Sequence, residues 1–188
     1  MKVLVVIDMQ NDFIDGPLGS LDAQAIVHRV VDKIAAHDGP LLATQDSHDL
    51  SYLDTQEGKL LPVPHCLLDS DGWQLAEPIR RAFQERAEHR TRHGIPPKVV
   101  CKPTFGSPLL AETLVEMDRE QMIDEIVLVG LCTDICVISN ALLLKAFLPE
   151  VKITVDAACC AGVTRESHRT ALAAMKACQI NVENEPTA

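Results

Sequence analysis

Two kinds of apolar pattern alternate along this chain. Continuous apolar runs of four to six residues at positions 2–7, 41–45, 99–102, 125–129 and 151–155 are the length of strands. Runs without a polar alternation belong to strands buried on both faces, as in parallel sheets. Between them apolar residues recur every three or four positions: Ala23, Ile26, Val27, Val30, Val31 and Ile34; Leu75, Ile79 and Phe83; Ile138, Ala141, Leu142, Leu144 and Phe147. That spacing predicts amphipathic helices, the first capped by Asp22 and ended by Gly39-Pro40, the second over residues 73–86. A short helix opens at Ser107-Pro108, another at Thr164, and residues 180–182 add a last short strand. The expected fold is α/β, a three-layer αβα arrangement whose central, mostly parallel six-stranded sheet carries helices on both faces.

The polar residues that stop these runs are the candidates for chemistry, because open α/β sheets place their ligands at the carboxyl ends of the strands. Asp8 ends the first run and Lys102, forced extended by Pro103, ends the third. The fourth passes through Gly130 into Leu131-Cys132-Thr133-Asp134-Ile135-Cys136, where Thr133 or Asp134 can cap the following helix. Cys136 is then expected in a first helical turn, whose positive end makes a thiol ionise more readily than a free one. On composition alone, core cysteine and surface lysine are the commoner fates. From Asp49 to Gly72 no periodicity is visible, and a loop that long is usually functional or disordered. Asp46, His48, Asp54, Glu57 and His65 lie in or beside it. Asp-x-His at a strand end projects both side chains to one side, and further carboxylate or imidazole donors would complete a site for a borderline divalent cation.

Composition narrows the function. The 188 residues suit one domain spanning 1–188, and 47% hydrophobic with 3% aromatic content favours layered α/β over all-β. A net charge of −10 with scattered basic residues makes nucleic acid a poor partner. No apolar run approaches the ~20 residues of a membrane span, and the first apolar run reads as a strand rather than a signal peptide. Seven cysteines, two of them adjacent, do not form a disulfide framework, which points to a reducing cytoplasm. Cys66, Cys101, Cys159, Cys160 and Cys178 read as packing residues, and the charged run 85–98 as a solvated connection and candidate subunit contact in a homo-oligomer.

Four motifs together resemble the isochorismatase-like cysteine hydrolases, in particular their nicotinamidase-like branch: Asp8-Met9-Gln10-Asn11-Asp12-Phe13, Asp46-Ser47-His48 with Pro64-His65, Lys102-Pro103-Thr104-Phe105-Gly106-Ser107, and Gly130-Leu131-Cys132-Thr133-Asp134-Ile135-Cys136-Val137. The resemblance implies Cys136 as nucleophile, Asp8 as general base and Lys102 as the third catalytic residue. It also implies a cis peptide between Leu131 and Cys132, with the backbone N–H groups of Cys132 and Cys136 as an oxyanion hole. The implied metal ligands are Asp46, His48, Glu57 and His65, with Asp54 the other occupant of the third position, for zinc, manganese or iron. Phe13, Phe105 and Leu131 are the expected contacts to a small amide substrate. Nicotinamide hydrolysis through a thioester is the implied reaction. Alternatives are another amidase or carbamoyl hydrolase of the family, and a non-catalytic module using Cys132, Cys136 and the histidines.

Overall fold

The computed structural model describes residues 1–88 and 94–185. Six strands, β1 (Lys2–Ile7), β2 (Leu41–Asp46), β3 (Lys98–Lys102), β4 (Glu125–Leu131), β5 (Lys152–Ala161) and β6 (Asn181–Glu183), form one sheet in the order β3-β2-β1-β4-β5-β6. Every pairing is parallel. The chain runs outward from β1 to β3 and then returns to the other side of β1 for β4. The order therefore reverses between β1 and β4, where Ile7 lies opposite Gly130, and crevices in such sheets open at that reversal.

Alternation along the strands divides the core. Val3, Val5 and Ile7 pack with residues of α5 (Pro108–Glu120), α6 (Ile138–Phe147) and α7 (Arg165–Ala177), whereas Leu4 and Val6 pack with α2 (Leu21–Ala35) and α4 (Glu77–Glu88). Two short helices, α1 (Asn11–Ile14) and α3 (Gln56–Leu60), complete the set among the described residues. The three-layer expectation holds, and the sheet is wholly parallel.

Several boundaries differ from the sequence reading. Ser20, not Asp22, caps α2, accepting from the Ala23 N–H; Asp22 lies in the first turn and pairs with Arg165. The helix expected from Trp73 begins at Glu77, because residues 74–76 are held extended by bonds from Asn11 N to Gln74 O and from Ala76 N to Met9 O. The fifth strand runs past Asp156 to Ala161 through an irregularity that moves its pairing from Leu128–Val155 to Gly130–Cys160. The helix after Ser107 has 13 residues and is not short. The loop 49–72 contains a 3-10 turn, Tyr52–Asp54, and α3. Cys66, Cys159 and Cys160 are buried as expected, but Cys101 and Cys178 are exposed, so these two are not packing residues. The run 85–98 lies partly outside the described residues.

Candidate active site and metal centre

Asp8, Lys102 and Cys136 come from three strand ends and meet. Asp8 leaves β1 with φ +46°, turning its side chain across the strand end. Its Oδ1 accepts from Thr44 Oγ1 at 2.7 Å, and its own N–H donates to the same oxygen at 3.2 Å. Lys102 Nζ lies 2.7 Å from Asp8 Oδ2, 3.2 Å from Asp46 Oδ1 and 3.4 Å from Cys136 Sγ. The Asp8 Oδ2 contact is an ion pair off the line of a hydrogen bond, so that oxygen has no aligned donor among the described residues. Asp8, Lys102 and Cys136 are all buried.

Near its end β4 passes close to β1: Gly130 has φ +118°, and a Cβ there would stand 2.1 Å from the Ile7 carbonyl oxygen. The Leu131–Cys132 peptide is cis, as expected. Thr133–Val137 then forms a π-helical turn rather than the first turn of an α-helix, with the Cys132 carbonyl accepting from both Ile135 N and Val137 N. Such turns occur frequently at functional sites.

The electrostatics correct one expectation. Burial pushes the Cys136 thiol well above the ordinary cysteine value, the Asp8 charge adds to this and Lys102 opposes it, so the thiol does not ionise more readily than a free one. Burial also raises Asp8, against the pull of Lys102. For Lys102 burial favours loss of charge, but Asp8, Cys136 and Asp46 outweigh it and hold the ammonium protonated. Burial thus favours the neutral thiol of Cys136, and Lys102 stands 2.7 Å from the Asp8 carboxyl as its nearest cation.

Asp46, opposite Lys102 in the sheet, joins this group to a second one. One ligand atom from each of Asp46, His48, Glu57 and His65 lies within 4.8 Å of all the others. His48 Nε2 is 3.0 Å from Asp46 Oδ2 and 3.7 Å from Glu57 Oε1, and His65 Nε2 is 3.5 and 3.8 Å from the same two atoms. His65 Nδ1 lies 2.8 Å from the Val63 carbonyl, which takes that N–H and leaves Nε2 as a donor to a metal. Two carboxylates and two imidazoles, mutually close and mostly buried, suit a borderline divalent ion. Glu57 is the third member of this group. Neither Cys132 nor Cys136 belongs to it, and the two thiols pack into opposite core clusters, which removes support for a thiolate-metal module.

Among the expected substrate contacts, Phe13 packs on His65, with ring centroids 5.4 Å apart. Leu131 is buried in the core below the cis peptide. Phe105 is 44% exposed, and it is its carbonyl, held by Asn140 Nδ2, that joins the site network.

Four residues were not picked out from the sequence. Thr44 holds Asp8. Asn140 donates to the Cys136 carbonyl at 2.8 Å and accepts from Ser107 N at 2.9 Å, tying the thiol's turn to the segment after Lys102. Tyr52 packs against both His48 and His65, and His168 Nδ1 meets Thr133 Oγ1 at 2.8 Å. A polar residue within an otherwise apolar element, as at Thr44 and Asn140, was the available signal. A cavity of about 800 Å³ lies elsewhere, between α2, the end of β5 and α7; its volume does not make it the site, because the convergent ionisable groups are at the β1–β4 reversal.

Known proteins share this fold. The model of the isochorismatase domain matches residues 2–184. An uncharacterized isochorismatase family protein, PncA of Bacillus subtilis (strain 168), is 32% identical over 179 residues, covering 91% of this chain and 92% of that protein. The pyrazinamidase/nicotinamidase of Streptococcus mutans UA159 superposes with a TM-score of 0.79 at 25% identity, over 97% of this chain and 99% of that one. A pyrazinamidase of Pyrococcus horikoshii, solved in complex with zinc, gives 0.71 at 19% identity over 98% and 99%, a likeness of fold.

Proposed function

The chain belongs to the isochorismatase family, and we propose that it is a nicotinamidase-like amidohydrolase that converts nicotinamide to nicotinate and ammonia. The observation that carries this reading is the placement of Lys102: one buried ammonium touches the thiol of Cys136, the carboxylate of Asp8 and the Asp46 edge of the four-donor cluster. A thiol nucleophile, a base and a substrate anchor are thereby held in one frame.

In the proposed reaction Cys136 Sγ attacks the amide carbonyl as its proton passes to Asp8. The negative charge leaves Asp8 and arrives on the carbonyl oxygen, while Lys102 stays beside both Asp8 and Cys136. The carbonyl π electrons go to oxygen, which the backbone N–H groups of Cys132 and Cys136 receive. Collapse of the tetrahedral species breaks the C–N bond, and Asp8 returns its proton to the leaving nitrogen to give ammonia. Water then attacks the thioester, giving a proton to Asp8, and the C–S bond breaks to release the acid and restore the thiol. Phe13, beside His65, packs on the substrate ring. A divalent ion held by Asp46, His48, Glu57 and His65, with zinc favoured over manganese or iron, would supply a Lewis acid that anchors the ring nitrogen.

The test is metal content and ammonia release from nicotinamide for wild type, His48→Ala and Glu57→Ala. The expected result is one metal per chain and nicotinamide turnover, both reduced in the variants. A metal-free wild type, or variants that turn over nicotinamide normally, would refute the metal-anchored reading. Turnover of carbamoyl amines but not nicotinamide would move the chain to the carbamoyl hydrolases.

A further inference from the structure

We infer that Gln10 and Asp12 are positioning residues that set the two metal-bearing segments at a fixed distance from the base Asp8; this rests on the metal-holding role proposed for the four-donor cluster. Asp8, Gln10 and Asp12 are alternate residues on one short stretch, and each reaches a different part of the site. Gln10, fully buried, grips the backbone on both sides of Asp46: its Oε1 accepts from Asp46 N at 2.7 Å and its Nε2 donates to Asp46 O at 2.8 Å. The same Nε2 donates to Trp73 O at 2.9 Å, so every polar atom of this amide is used. Both peptide planes flanking the Asp46 Cα are thus fixed, and with them the direction of its carboxylate.

Asp12 acts on the other segment. Its Oδ2 accepts from Cys66 N at 2.7 Å, holding the peptide that leaves His65, where Cys66 adopts φ +46°. Asp12 N also donates to Gly72 O at 3.1 Å. The Asp12 carboxylate occupies the space above Gly72, where an added Cβ would stand 2.2 Å from both its oxygens. The two gripped segments are bonded to each other, His48 N donating to Cys66 O at 3.0 Å and Leu68 N to His48 O at 2.8 Å. Asp46-Ser47-His48 and His65-Cys66 are therefore one bonded unit, hung from Gln10 and Asp12. An anchor placed by this unit stands at a set separation from the Asp8–Lys102–Cys136 group. Groups that orient metal ligands in this way typically change metal affinity by about 10- to 100-fold when removed.

The test measures Zn²⁺ affinity by competition with a chelating indicator, and the visible spectrum of the Co²⁺ form. It is applied to wild type, Gln10→Leu, Asp12→Ala, Asp12→Asn and Gly72→Ala, with the thermal midpoint of each metal-free protein recorded alongside. Gly72→Ala leaves every ligand and both gripping residues chemically intact and acts only by displacing the Asp12 carboxylate. The expected result is that Gln10→Leu, Asp12→Ala and Gly72→Ala lower Zn²⁺ affinity by about 10- to 100-fold and alter the Co²⁺ spectrum. Asp12→Asn, which keeps an acceptor for Cys66 N, should recover most of both. Folded variants that bind Zn²⁺ within threefold of wild type, with an unchanged Co²⁺ spectrum, would overturn the inference. So would variants that only lose thermal stability. A wild type that binds no Zn²⁺ would instead overturn the metal reading on which the inference stands.

Discussion

Replacing Lys102 by methionine removes the ammonium that stands 2.7 Å from Asp8 and 3.2 Å from Asp46, and leaves the Asp8 carboxylate buried without a cation. Breaking a buried pair from one side costs about 3–5 kcal/mol, mostly the desolvation of the abandoned charge. Asp8→Asn removes that charge, so Asp8→Asn/Lys102→Met is expected to be more stable than Lys102→Met alone. The coupling should lie toward the upper end of the roughly 0.5–3 kcal/mol seen between contacting residues. The effect is also expected to depend on pH. Burial already raises Asp8 above its ordinary 3.8, and without Lys102 it rises further. Between 3.8 and that raised value the folded Lys102→Met protein keeps a proton that the unfolded chain releases. Stability therefore falls as pH rises through this interval, by up to about 1.4 kcal/mol per pH unit. The Lys102→Met penalty should therefore grow as pH rises from 4. Urea unfolding of the chelated protein from pH 4 to 8, for wild type, both single variants and the double, measures all of this. Additive single effects, or a Lys102→Met penalty that ignores pH, would refute the reasoning.

Two further outcomes are expected. Asn140→Leu removes one bond from the Cys136 carbonyl, and takes their side-chain partner from the Phe105 carbonyl and the Ser107 N–H. At about 1–3 kcal/mol for each of these two unsatisfied groups, the loss in urea unfolding should be about 2–6 kcal/mol, with faster iodoacetamide labelling of Cys136; stability within about 1 kcal/mol of wild type contradicts this. Burial pushes Glu125 up, but Thr154, Lys152 and Lys2 outweigh it and hold the carboxyl at about 2, so its contribution is full above 4.5 and is lost as pH falls through 2. Glu125→Gln should flatten the acid limb of stability between those values, and an unchanged slope would show that the cluster contributes nothing.

The sheet was legible because its strands are buried on both faces and read as unbroken apolar runs, and residues at their ends mark the site without any knowledge of pairing. What the sequence could not show is set by contacts between distant segments. Residues 74–76 carry helical spacing, but backbone bonds from Met9 and Asn11 hold them extended. The π-helical turn and the raised Cys136 thiol depend on how Asp8 and the core close over a helix start that looks ordinary in one dimension. Gln10, Thr44 and Asn140 are single polar residues whose partners lie 36, 36 and 33–35 positions away. Cys101 was misread because a cysteine in an apolar run looks buried, whereas β3 is an edge strand with one side uncovered.

The central claim is that Cys136 carries the acyl group of the substrate. Acid quenching of the protein during turnover of nicotinamide, followed by peptide mass mapping, measures this directly. The account predicts a nicotinoyl adduct on the peptide containing Cys136, abolished with turnover in Cys136→Ala and kept in Cys132→Ala, whose backbone N–H is unchanged. An adduct on another residue, or a Cys136→Ala protein that releases ammonia at the wild-type rate, would contradict it.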